Sequence, residues 1–234
     1  MLGCQKYGPD CDQCYAIRQV HRMAHAPNQK LAAANAGLVR LTNGRLNWTG
    51  RVRYVRERLV LPLRWRAPRT VFVDSLSDLF YHQVPWAWVD EVICVMLSAN
   101  WHIYQILTKR ADRLYEYLAH PRLPERLATA ATHLVEEGIL PLLPALDVAP
   151  PWKHLWFGTS AGTQRTLIER SKWLRMANVA LRFYSLEPLL EPISLLYLDG
   201  KRENPATCTV DLLRGLRFRP GYSDPAWDDQ HQIG

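Results

Sequence analysis

The chain has 234 residues, of which 48% are hydrophobic and 22% charged, so it is long enough to form one domain with a sizeable core. It contains no run of 18 or more apolar residues and no basic region followed by an apolar stretch at its N-terminus, which argues against a membrane-spanning helix and a secretory signal. We therefore expect a cytoplasmic protein. The net charge of +7 favours a polyanionic partner such as nucleic acid.

Apolar runs and turn residues predict strands that alternate with helices. In chain order, we predict a helix at 16–26, irregular or weakly helical chain at 27–60, a strand at 70–73, a helix at 85–98, a strand at 102–107, helices at 111–119 and 121–137, a loop at 138–152, a strand at 154–158, a helix at 163–176, and strands at 180–185 and 193–198. This alternation is typical of βαβ units with a parallel sheet. We assign residues 1–198 to this domain and residues 199–234 to a polar C-terminal segment.

Arginines are concentrated in one part of the chain. Between Arg40 and Arg69 there are nine arginines and a single acid, Glu57, with Trp48, Tyr54 and Trp65 interleaved. Guanidinium groups bind phosphate and aromatic rings stack on bases, so the mixture suits a nucleic-acid path. A solvated, arginine-rich surface is the alternative. The predicted nucleic-acid contacts are Arg51, Arg53, Arg56, Arg64 and Arg66.

Polar side chains follow four of the predicted strands. Ligands of α/β sheets and barrels bind outside the carboxyl ends of the strands, so these residues predict one polar rim. Its candidate cofactor or substrate contacts are Ser75, Asp78, Thr108, Lys109, Ser160 and Glu187. Helix capping is an alternative for the serines and Asp78, but not for Lys109, Arg110 or Glu187. We expect Lys109 or Arg110 to meet a carboxylate or a phosphate.

Three of the five cysteines, Cys4, Cys11 and Cys14, lie within eleven residues in a C-x6-C-x2-C arrangement. In a cytoplasmic chain such a cluster indicates metal rather than disulfides. Three thiolates suit a 4Fe-4S cluster with one open iron. With His21 or His25 as a fourth ligand they equally suit zinc. Of the other cysteines, Cys94 is predicted to be a buried apolar residue, and Cys208 lies in the polar C-terminal segment.

The cysteine segment is one of several motifs that occur in order over about residues 3–195. The others are 62–65 (PLRW), 71–80 (VFVDSLSDLF), 107–110 (LTKR), 155–160 (LWFGTS) and 182–190 (RFYSLEPLL). Together they resemble a phage and bacterial protein family of unknown function that has a three-cysteine motif. That family in turn is similar to radical S-adenosylmethionine enzymes.

The resemblance implies a partial (β/α) TIM-like barrel of parallel strands, with Cys4, Cys11 and Cys14 as ligands of a 4Fe-4S cluster. It also implies S-adenosylmethionine as cofactor, an electron donor as partner, and a radical reaction, here on a nucleic acid or nucleotide. Tyr15 would then pack against the cluster or the adenine, and Glu187 would accept hydrogen bonds from the ribose or the amino group.

Two departures from the resemblance concern the ends of the chain. Relatives carry a segment before the first cysteine, whereas three residues precede Cys4 here, and they continue differently after the fifth strand. The expected barrel is therefore shortened at both ends. Two alternatives remain open: a zinc-clipped nucleic-acid-binding protein without catalysis, and a degenerate family member that has lost its activity.

Overall fold

A computed structural model describes residues 1–141, 148–199, 208–211 and 216–218. The helices are α1 (Tyr15–Ala24), α2 (Gln29–Asn35), α3 (Leu61–Arg64), α4 (Trp86–Ser98), α5 (Ala111–Leu118), α6 (Leu123–Glu136) and α7 (Gln164–Met176). The strands are β1 (Val39–Thr42), β2 (Arg45–Trp48), β3 (Thr70–Val73), β4 (Ile103–Thr108), β5 (Leu155–Ser160), β6 (Leu181–Ser185), β7 (Leu196–Asp199), β8 (Cys208–Asp211) and β9 (Leu216–Phe218).

The central element is a four-stranded parallel sheet in the order β3-β4-β5-β6, which confirms the predicted α/β class. Helices α4 to α7 lie between these strands in the chain, as parallel connections require. Tyr104, Ile106, Leu155 and Phe157 point from the sheet into the main core and pack with apolar residues of the helices. Most helix bounds agree with the prediction to within two residues because apolar periodicity is strong there.

The opposite face of the parallel sheet is only partly covered. Phe72 and Leu181, which lie on this face at the two edge strands, are 47% and 36% exposed. Parallel sheets are ordinarily buried on both faces. The open face therefore leaves room for a ligand beside the sheet.

Residues 27–60 contain the short helix α2, which the prediction of weakly helical chain allows, but the prediction is wrong for the β1–β2 hairpin. Asn28 caps α2, its side chain accepting a hydrogen bond from the backbone N–H of Leu31 at 3.0 Å. Asn43 and Gly44 form the hairpin turn with φ values of +50° and +70°. An Asn-Gly pair is a strong hairpin signal, so the sequence contained the information.

The strand predicted at 193–198 is shifted and belongs to another sheet. It spans Leu196–Asp199 as β7 and pairs antiparallel with β8, which pairs with β9. This three-stranded sheet crosses the domain boundary drawn at 198/199. Residues 142–147 of the predicted loop and most of 199–234 lie outside the described residues. Within the part of the chain that the structure describes, no helix has the length and apolar character needed to cross a bilayer.

Candidate functional site

The carboxyl ends of the four parallel strands meet at one edge of the sheet and border a cavity of about 370 Å³. The residues predicted as cluster ligands or as cofactor contacts all line this cavity: Cys4, Cys11, Cys14, Tyr15, Ser75, Asp78, Thr108, Lys109, Ser160 and Glu187. The fold thus brings together residues that lie as far apart in the sequence as positions 4 and 187. Their chemical roles remain predictions.

The first cysteine reaches the cavity because the N-terminal segment is fixed beside the sheet. Gly3 forms a parallel bridge with Ser77, and its N–H donates to the Leu76 carbonyl at 3.2 Å. Gly3 has a φ of +91°, and a Cβ atom there would lie 2.2 Å from the Arg51 carbonyl oxygen. Only glycine fits so close an approach with this backbone conformation. Cys4 follows directly and is held at the edge of the cavity.

The second and third cysteines come from a short turn and the start of a helix. A 3-10 turn over Pro9–Cys11 buries Cys11, whose sulfur accepts a hydrogen bond from the Tyr7 N–H at 3.4 Å. Cys14 occupies the N-cap position of α1, and the Tyr15 hydroxyl donates to the Ser75 carbonyl at 2.8 Å. This hydrogen bond ties the start of α1 to the loop after β3.

The three cysteines of the motif are free thiols. Burial and, to a smaller extent, the Asp78 carboxylate raise the pKa of Cys4 to about 12, against the opposing effect of the Arg110 guanidinium. A thiolate at this position therefore needs more positive charge than the chain alone supplies. Cys94 lies buried in α4 as predicted, its thiol donating to the Leu127 carbonyl at 3.2 Å.

The histidines of the predicted zinc alternative do not join the cysteines. His21 and His25 lie on and just after α1, where the ring of His25 bonds the His21 carbonyl at 2.8 Å. Neither lines the cavity. Among the described residues, no group of three or more His, Cys, Asp and Glu side chains lies close enough together to hold a metal ion.

A buried ion pair between Asp78 and Arg110 fixes the backbone next to Cys4 at the cavity. Arg110 donates to Asp78 at 2.7 Å and to the Gln5 carbonyl at 3.0 Å. Asp78 also accepts a hydrogen bond from the Thr108 hydroxyl at 2.7 Å. The Arg110 guanidinium lies 4.8 Å from the ring centre of Tyr81. Arg110 is therefore paired within the protein while it also lines the cavity, and its role as a ligand contact stays a prediction.

A second buried hydrogen-bond network, centred on Asp10, fixes the cysteine loop next to Cys11. Asp10 accepts hydrogen bonds from Lys109 at 2.6 Å and from Arg170 at 2.8 Å, and Lys109 also donates to the Ser160 hydroxyl at 2.8 Å. Burial alone would raise the pKa of Asp10, but the hydrogen bonds from Arg170 and Lys109 outweigh it and lower the pKa below its ordinary value. Asp10 is consequently a carboxylate that anchors the cysteine loop to β5 and α7.

The anchoring matters because the cysteine loop separates two cavities. Tyr7, Gly8 and Pro9 line a second cavity of about 480 Å³, while Cys11 lines the first. Lys109 borders both cavities. The loop thus forms the wall between the two cavities. Asp10 and Arg170 are functional candidates that sequence reasoning missed, since their pairing spans 160 positions and leaves no local signal.

The predicted nucleic-acid arginines are divided among different environments, and none of the five lines the cysteine cavity. Arg53 donates to the Ala34 and Ala36 carbonyls at the end of α2. Arg56 pairs with Glu137 and lies 3.5 Å from Glu91. These two side chains are therefore engaged in structural contacts. Arg51, Arg64 and Arg66 are exposed.

Fold and site together define an α/β protein with a cysteine-lined cavity at the carboxyl edge of a parallel sheet. The chain belongs to a protein family described as proteins of unknown function (DUF5131), which matches residues 1–212. Comparison with curated proteins and with solved structures gives no match.

Proposed function

We propose that the protein is a radical S-adenosylmethionine type enzyme that carries a 4Fe-4S cluster on Cys4, Cys11 and Cys14. One observation carries the proposal: three free cysteines from separate backbone positions share a single cavity with the polar ends of four parallel strands. The cavity volume of about 370 Å³ lies in the range of small-molecule sites.

The donor set fits a cluster better than a single ion. In a cluster each thiolate binds its own iron, so the three sulfurs need not converge on one point. The described residues offer no convergent group for one ion, and the histidines lie away from the cavity. Three cysteine ligands would leave one iron open for the cofactor. Once reduced by an electron donor, such a cluster would supply the electron that cleaves S-adenosylmethionine.

The residues of the chain would then bind and orient the cofactor. Three aspartates that line the cavity, Asp10, Asp74 and Asp78, each pair with a cationic group of the protein. Glu187, which is exposed just after β6, would therefore offer its carboxylate to the cofactor's amino group or ribose. The hydroxyls of Ser75 and Ser160 border the same cavity, and Tyr15 and Phe72 provide aromatic surface for an adenine ring. Ser77 adds a buried hydroxyl that has no hydrogen-bond partner among the described residues.

The remaining parts of the proposal rest on the resemblance and on the open sheet face. The parallel sheet would form part of a (β/α) barrel, and the substrate would be a nucleic acid or nucleotide held beside the cofactor. An electron donor would complete the reaction. We propose a phage or mobile-element origin and a bacterial host cytoplasm as the site of action.

The Cys14→Ala variant tests the proposal through cofactor cleavage. After anaerobic reconstitution with iron and sulfide and reduction by dithionite, we expect the protein to release 5′-deoxyadenosine from S-adenosylmethionine. Cys14→Ala removes one of three cluster ligands and should reduce release to the level without protein. The control is Cys94→Ala, which removes a buried thiol of α4 outside the cavity and should retain cleavage. Cleavage that survives in Cys14→Ala would refute the cluster assignment.

A further inference from the structure

A rigid aromatic corner lies at the end of the parallel sheet away from the cysteines. Trp65 follows α3 and Trp101 precedes β4, and the indole N–H of Trp101 donates to the Trp65 carbonyl at 2.9 Å. His102 fills the space between them, its ring centre 5.7 Å from that of Trp65 and 5.3 Å from that of Trp101. The buried His102 ring also bonds the Pro62 carbonyl at 3.0 Å. The corner is therefore built by specific contacts.

Three exposed arginines, Arg64, Arg66 and Arg69, lie in the chain segment that carries Trp65. The sequence contains no acidic residue from Arg58 to Val73. Among the described residues, no carboxylate lies within 4.0 Å of these three guanidinium groups, unlike that of Arg56. The Arg69 guanidinium lies 4.9 Å above the Trp65 ring, a cation–π contact. The arginines thus form a positive surface that the protein does not neutralise.

We propose that this Trp65 corner, defined by Arg64, Trp65, Arg66, Arg69 and Trp101, binds single-stranded nucleic acid. Arginines beside aromatic rings are the combination that holds phosphates and stacked bases together. Trp101 is 41% exposed and offers ring surface to an unpaired base, which a duplex would not present. The inference deepens the substrate part of the proposed function, yet the binding itself requires neither cluster nor cofactor.

The location of the corner suits a site that anchors the nucleic acid away from the cysteine cavity. It lies at the N-terminal ends of β3 and β4, whereas the cysteine cavity lies at their carboxyl ends. The four residues of β3 separate the two by roughly 13 Å along the strand. A strand of nucleic acid bound at the corner would be held at a distance from the reacting group. We therefore expect the corner to affect substrate binding and not cofactor cleavage.

The test measures binding of a fluorescently labelled single-stranded oligonucleotide of about 16 nucleotides by anisotropy, at several salt concentrations. The variant Arg64→Gln/Arg66→Gln/Arg69→Gln should weaken binding by about tenfold or more. It should also reduce the slope of log affinity against log salt by about 2, since single strands lose about 0.7 per phosphate contact. Trp101→Ala should weaken binding about 5- to 150-fold, and Trp101→Phe, which retains a ring, should bind nearly as the parent does.

The matched control is Arg18→Gln/Arg22→Gln/Arg165→Gln, which removes the same charge from exposed positions on α1 and α7. Equal weakening in both triple variants would refute a defined site and leave only non-specific attraction. Binding to anionic phospholipid vesicles but not to the oligonucleotide would also overturn the inference. Cys14→Ala separates the inference from the proposed function. We expect this variant to lose cofactor cleavage and to bind the oligonucleotide as the parent does, because the Trp65 corner needs no cluster.

Discussion

Replacing Arg110 with Met will lower the free energy of unfolding by roughly 3–5 kcal/mol, the usual cost of leaving one member of a buried ion pair without its partner. The side chains of Arg110 and Asp78 are both more than nine-tenths buried. Met retains much of the aliphatic stem, so the loss measures the guanidinium, which lies over the rings of Tyr7 and Tyr81, and its hydrogen bonds. Urea unfolding followed by tryptophan fluorescence provides the measurement.

Arg122→Met serves as the matched control for Arg110. Arg122 forms a two-bond ion pair with Glu125 on the surface, with side chains 69% and 62% exposed. Exposed pairs are screened by solvent and contribute little, so the control should lose much less stability than the Arg110 variant. Adding Asp78→Asn to the Arg110 variant should cost less than the sum of the two single changes, because the groups interact directly. Equal losses at Arg110 and Arg122 would show that the pair does not hold the site together.

Replacing Asp10 with Asn will release the cysteine loop as well as destabilise the fold. Lys109 and Arg170 lose their shared carboxylate, and Arg170 is buried, so we expect a loss of about 3 kcal/mol. Since Asp10 directly precedes Cys11, the buried Cys11 thiol should become more reactive towards an alkylating reagent. Mass spectrometry of the metal-free protein after brief alkylation measures the reaction at each cysteine.

Asp12→Asn is a close control for Asp10, as it changes the same residue type on the other side of Cys11. Asp12 is 64% exposed and pairs with Lys6 at 2.9 Å on the surface. We expect its replacement to change stability by less than about 1 kcal/mol and to leave Cys11 protected. If Cys11 reacts equally fast in the two variants, the Asp10 network does not position the loop.

Local signals predicted much of the fold. The parallel strands follow from short apolar runs bounded by turns, and α4 begins where Pro85 fits the start of a helix. The same strand ends identified the residues that line the cavity, because parallel strands place their carboxyl ends at one edge. The Asn43-Gly44 hairpin was missed although its signal was present.

Other features depend on contacts between distant positions and could not be read from the sequence. Arg53 and Arg56 belong to an arginine-rich stretch, but their partners are carbonyls at the end of α2 and the carboxylates of Glu91 and Glu137. A single sequence does not show which arginines have such partners. The same reason hid the pairing of Asp10 with Arg170.

The account depends most directly on what the three cysteines bind. The measurement is the absorbance spectrum and metal content of protein purified without oxygen and reconstituted with iron and sulfide. We predict a broad band near roughly 400 nm, about four irons per chain, and bleaching by dithionite. A colourless protein that holds one zinc per chain would contradict the enzyme proposal and favour a zinc-clipped binding protein.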